Sequence, residues 1–125
     1  MKTESESRSC HWKGSMKSMF SKIRKIEEIL LTVTDSVFHY EAMDKPDQYI
    51  VYAEDSEGSS VEGDDQKINQ SIQGTIDYFT KKDWDENVNK IQGVLKDNCI
   101  SFYLNSVQFE EETGYQHYEW VWEVG

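Results

Sequence analysis

Along residues 67–78 apolar and polar positions alternate. Ile68, Ile72, Ile76 and Tyr78 share one side, and Asn69, Ser71, Gln73, Thr75 and Asp77 take the other. A period of two is the mark of a strand with one buried face. From Asp83 the period lengthens, with Trp84, Val88, Ile91 and Leu95 recurring at helical spacing. Alternation returns over 100–109 and 115–124, on either side of Glu110-Glu111-Glu112-Thr113-Gly114, a turn in which Gly114 supplies a positive φ. Upstream, Phe20, Ile23, Ile26, Ile29, Leu30 and Val33 form an apolar stripe that predicts a helix over 18–34. Lys17, Lys22, Arg24 and Lys25 fall on its outer face. Residues 36–40 predict a short strand or extended link, Pro46 marks a turn, and a further strand runs over 48–54. The predicted class is α+β, a single antiparallel or mixed sheet of four to five strands with two helices in the order α-β-β-(β)-α-β-β.

The chain's 125 residues supply one core. Residues 1–17 show no periodicity and read as a flexible leader. Residues 18–125 read as a single domain carrying a mobile acidic loop at 55–66. Charge sharpens this picture, because 24 acidic side chains against 13 basic ones leave a net charge of -11. Such a surface repels phosphates, which disfavours direct nucleic-acid binding and anionic membranes. No run of about 18 apolar residues is present to span a bilayer, and the N-terminus lacks the apolar core of a signal peptide. Cys10 and Cys99 stand in unlike contexts and read as free thiols in a reducing cytoplasm.

Chemical motifs are sparse. Counted from Asp55, a calcium loop needs Gly at its sixth position and Glu at its twelfth, where this chain has Ser60 and Gln66. His11, His39 and His117 lack metal-ligand spacing, and neither cysteine has a C-x2-C partner. Ser59, Ser60 and Cys99 have no base in their local sequence. His117 and Glu119 share a strand face and form a candidate acid–base pair, which a cross-strand hydrogen bond explains as well. The expectation is therefore a non-enzyme with no catalytic, metal or cofactor residues.

Interaction surfaces are better supported. On the last strand Tyr118, Trp120, Trp122 and Val124 point one way, and His117, Glu119, Val121 and Glu123 the other. The first set reads as core. A sharper reading places part of this terminal strand, Val121 included, at a subunit interface or a neighbour's sheet edge. Charge is also segregated, with seven basic against four acidic residues over 1–28 and one basic against nine acidic over 41–65. That polarity favours docking of Lys22, Arg24 and Lys25 on another subunit's Asp55, Glu57, Glu62, Asp64 and Asp65. Head-to-tail contacts of this kind close into rings. A small acidic inhibitor or immunity-type protein, or a nucleic-acid mimic, is the alternative reading of the same charge.

In order and spacing, a series of blocks resembles the tail terminator (tail completion, head–tail joining) proteins of long-tailed bacteriophages and prophages. The blocks are Ile23-Arg24-Lys25-Ile26-Glu27-Glu28-Ile29-Leu30, Phe38-His39-Tyr40-Glu41-Ala42, Lys45-Pro46-Asp47-Gln48-Tyr49-Ile50-Val51-Tyr52, Gly74-Thr75-Ile76-Asp77-Tyr78-Phe79-Thr80-Lys81, Ile91-Gln92-Gly93-Val94-Leu95 and Glu112-Thr113-Gly114-Tyr115-Gln116-His117-Tyr118. They span about residues 20–124, and none is a catalytic motif. The resemblance implies an α+β subunit of a ring, a hexamer, that caps the tail tube and meets the head-completion or connector protein. DNA would pass through without specific binding, no membrane would be involved, and the chain would reside in the virion, or in the bacterial cytoplasm during assembly. It further implies that the acidic loop faces the tube or the lumen.

Overall fold

In the computed structural model, which describes residues 18–58 and 70–125, a single mixed five-stranded sheet carries two helices. Helix α1 spans Met19–Leu30 and β1 spans Val37–His39. Strand β2 is Gln48–Glu57 and β3 is Ile72–Thr80. Helix α2 covers Glu86–Asp97, followed by β4 over Ser101–Glu110 and β5 over Tyr115–Val124. The α+β class and the order expected from the pattern hold, including the short first strand. Strand order is β1-β2-β3-β5-β4, with β1 parallel to β2 and every other pair antiparallel.

One face of the sheet is covered by the helices, and there Ile50, Tyr52, Ile76, Tyr78, Trp120 and Trp122 pack beneath Ile26, Leu30, Ile91 and Leu95. Gly74 makes room for the largest of these side chains. A Cβ there would collide with the Ala53 carbonyl and the Trp122 indole, whose Nε1 donates to the Thr75 carbonyl at 2.9 Å.

Local chemistry sets the helix ends. The Ser18 hydroxyl accepts from the Ser21 amide and caps α1. Helix α1 stops about a turn before the predicted 34, where Thr32 Oγ1 donates to the Ile29 carbonyl and the β-branched run Thr32-Val33-Thr34 begins. At the end of α2 the Ile100 amide reaches the Leu95 carbonyl and the Cys99 amide the Lys96 carbonyl. This is a Schellman closure with Cys99, at φ 57°, in the left-handed position.

Several expectations need correction. Trp84 is not part of the helical stripe, because a φ of 54° at that residue turns its side chain out and Asp85, the next residue, caps α2. Asp55 and Glu57 belong to β2, which continues past a bulge to pair Ser56 with Gln73 and Glu57 with Ile72, so the loop begins later than 55. Strand β5 lies between β3 and β4 and presents no free edge, so pairing of this strand with a neighbour is ruled out and β4 takes the outer position. The free-thiol reading fails at Cys99, which is disulfide-bonded. It stands exposed just past the end of α2, and Cys10 lies outside the described residues. Gly114 adopts the expected positive φ.

Candidate functional site

Two features stand out among the described residues, a histidine-centred cleft on the open face of the sheet and the edge at β4. The cleft holds about 310 Å³ and is lined by Tyr40, Glu41, Lys45, Tyr49, Asp77, Phe79 and His117 among others. Alternation along β3 and β5 puts Asp77 and His117 on this face, and the strand register brings Phe79 opposite His117. His117 Nε2 meets Asp77 Oδ1 at 2.7 Å, and its Nδ1 lies 3.6 Å from Glu110 Oε2. The ring stacks on Phe79 with centroids 4.2 Å apart, and Phe79 stacks on Tyr49 at 4.7 Å.

The hydrogen bond to Asp77 raises the His117 pKa. Burial opposes it, and the charges of Asp77, Glu110 and Glu119 add to it. Nε2 is engaged by Asp77, whereas Nδ1, at 3.6 Å from Glu110 Oε2, lies beyond hydrogen-bond distance of that carboxylate. The arrangement clamps β3 to β5 and draws in the end of β4. Glu119, paired with His117 in the sequence reading, is drawn off by Asn105 and Ser106, each donating to its Oε1 at 3.3 Å. Asp77 was the missed partner. Its place on the polar side of β3 was legible, but the register that sets it near His117 was not.

A second carboxylate hub is structural. Asp85 Oδ2 accepts from Thr80 Oγ1 at 2.6 Å, the Tyr78 hydroxyl at 2.7 Å and Gln48 Nε2 at 2.8 Å. Its Oδ1 accepts the Asn87 amide at 2.9 Å. Burial alone would raise the Asp85 pKa, but these donors outweigh it and hold the carboxyl below the usual range.

Of the interface residues proposed from charge, the basic ones share α1 and Asp55 and Glu57 share the end of β2. Arg24 is exposed and Lys25 half-buried on α1, whereas Lys22 is buried and donates its ammonium to the Gln70 carbonyl, correcting its assignment to the outer face. Burial lowers its pKa. Asp55 and Glu57 are exposed at the end of β2. Val121 is half-buried on the open face, opposite Thr75 and Tyr103. Glu62, Asp64 and Asp65, like Ser59 and Ser60, lie outside the described residues.

Sequence reasoning passed over the β4 edge. Leu104, Val107 and Phe109 are 46%, 54% and 62% exposed, and Tyr103 on the other face is also exposed. Trp84, 90% exposed, stands beside Tyr118, which pairs with Val107. At the opposite edge Tyr40 and Met43, just after β1, are exposed as well. The available signal was a nine-residue run from Ser101 to Phe109 with no charge, in a chain that is 30% charged.

Among the described residues no cluster of His, Cys, Asp or Glu is arranged to hold a metal, and no helix is long and apolar enough to cross a membrane. No protein-family model and no curated protein matches the chain.

Proposed function

We propose that this chain is a ring-forming subunit that caps the tail tube of a long-tailed phage or prophage and joins tail to head. The observation that carries the reading is the presence of unlike apolar surfaces at the two edges of one sheet. Tyr40 and Met43 mark one edge, and Leu104, Val107, Phe109 and Trp84 mark the other. Large exposed apolar side chains on both edges favour contact with other protein, and contact between two different patches is heterologous, the kind that closes into rings. The block order that resembles tail terminators supplies the biological setting. A net charge of -11 suits a channel wall along which DNA slides without sticking.

The test is polymerisation of the cognate tail tube protein with and without the chain, followed by negative-stain electron microscopy. Tubes of limited length bearing a terminal ring are expected. Tubes of unchanged length that bind none of the chain would remove the reading. The inhibitor alternative requires instead a monomer that binds a basic partner tightly.

A further inference from the structure

Strand β4 is self-complementary. Its sequence, Ser101-Phe102-Tyr103-Leu104-Asn105-Ser106-Val107-Gln108-Phe109-Glu110, is a hydropathic palindrome centred between Asn105 and Ser106. In a regular strand Phe102 and Leu104 would face opposite to Val107 and Phe109. The register shift between Leu104 and Ser106 removes that difference. Phe102, Leu104, Val107 and Phe109 lie opposite Trp122, Trp120, Tyr118 and Gln116, which alternate along one face of β5, so all four project on the helix-covered side.

We infer that the outer edge of β4, which no other strand among the described residues covers, is a docking surface for a second copy of this chain, the two β4 strands pairing antiparallel about a two-fold axis through the Asn105–Ser106 centre. Full overlap of the strands then sets Phe102 opposite the second copy's Phe109, and Leu104 opposite its Val107. Because the axis stands perpendicular to the sheet, these pairs meet on the same face. Glu110 falls opposite Ser101, so no carboxylate meets a carboxylate.

Charge and length select this occupant. A chain of net charge -11 repels its own copies over most approaches, and β4 offers nine consecutive positions without charge. Edge strands that stay single are normally protected by lysine, proline, shortness or a bulge, and this ten-residue strand has neither lysine nor proline, while its one bulge brings its apolar side chains onto a single face. The opposite edge, β1, has only three residues and cannot match its length. Another β4 can. The inference goes beyond the ring reading, because a β4-paired dimer occupies an edge that ring contacts would use, so the pair must open before a ring closes.

The test is light scattering and sedimentation of the full chain over a wide concentration range, with Leu104→Lys and the double variant Leu104→Lys/Val107→Glu. The wild-type chain is expected to dimerise. Leu104→Lys acts twice through the two-fold axis, at about tenfold per contact, and weakens the dimer about a hundredfold. The double variant sets each lysine opposite the other copy's glutamate and recovers the dimer, with circular dichroism confirming that both variants fold. A wild-type monomer throughout, a dimer indifferent to Leu104→Lys, or a lost dimer that the double variant fails to recover overturns the inference. A wild-type chain found only as closed rings overturns it too, while leaving the ring reading intact.

Discussion

Strands β4 and β5 are neighbours of equal length, both rich in aromatic and aliphatic residues, and they meet opposite fates. Trp120 and Trp122 on β5 are fully buried, whereas Leu104, Val107 and Phe109 on β4 face water. Residue type does not make the difference, since Leu104 pairs directly with Trp120 and Val107 with Tyr118. Position does. Strand β5 is flanked by two strands and roofed by helix α2, where Gln92 accepts the Trp120 indole N–H at 3.0 Å. Among the described residues strand β4 has one neighbouring strand and an incomplete roof. Apolar surface left at such an edge has gained nothing from folding, and its transfer from water remains available to a partner.

The sharpest way to break this contrast is to truncate one residue on each strand. Trp120→Ala is expected to cost about 3–5 kcal/mol, from lost transfer free energy plus a cavity. Phe109→Ala, at a concentration where the chain is monomeric, should change stability by no more than about 0.5 kcal/mol. Urea denaturation reads both. Similar losses at the two sites would mean that the β4 edge is packed in solution and that the contrast is false.

Next in size is the polar hub under the roof. Asp85→Ala leaves the Tyr78 and Thr80 hydroxyls and the Gln48 amide without their shared acceptor, and should cost about 2–4 kcal/mol. The pH dependence has a definite sign. The folded Asp85 pKa lies below its ordinary value, so the contribution is complete above about pH 4 and is lost as pH falls through the folded pKa. Asp85→Asn should flatten the acid limb of the stability profile. An unchanged acid limb would show that other carboxylates control it.

The hub and the edge also show how much of this molecule its sequence disclosed. Periods of two and 3.6 marked every element but β1, which was expected only as a short strand or extended link, and the inward set Tyr118, Trp120, Trp122 and Val124 was correctly separated from Val121, because side-chain direction follows local geometry. Strand order was not legible. Alternation states which residues face inward but not which strand lies beside which, and so β5 could be mistaken for an edge. The bulge at Asn105 was equally hidden, although it brings Phe102, Leu104, Val107 and Phe109 onto one face. The Asp77–His117 contact depends on pairing between β3 and β5, residues 40 positions apart, and no local pattern reports it.

That contact gives a smaller effect on the open face, where β4 is tied to its neighbours by charge instead of packing. Below about pH 6.5 Asp77→Asn should lower stability by about 1–2 kcal/mol, since it removes the charge-assisted bond that the half-buried ring makes when protonated. Here the sign is opposite to that of Asp85. The folded His117 pKa is raised, so its contribution is complete below its unfolded value near pH 6.5 and disappears as pH rises through the higher folded value. Denaturation midpoints should therefore fall with rising pH across that interval in the wild type and stay level in Asp77→Asn. An upward trend in the wild type would contradict the clamp.

The smallest expected change concerns Trp84, the exposed tryptophan among the described residues. Trp84 sits at φ 54°, where a side chain crowds its own carbonyl at a cost of about 1–2 kcal/mol. Almost all of its surface faces water, so little burial offsets that strain. Trp84→Gly removes the strain but gives the unfolded chain more freedom, worth about 0.5–1 kcal/mol in the other direction. The balance is a gain of about 0.5–1 kcal/mol by the same two terms, whereas Trp84→Ala keeps the strain and should yield none. A glycine variant that loses stability would mean that contacts with Val88 and Tyr118 hold the indole in place. Trp84 would then belong with the buried tryptophans of β5, and the exposed surface beside β4 would be smaller by its most prominent side chain.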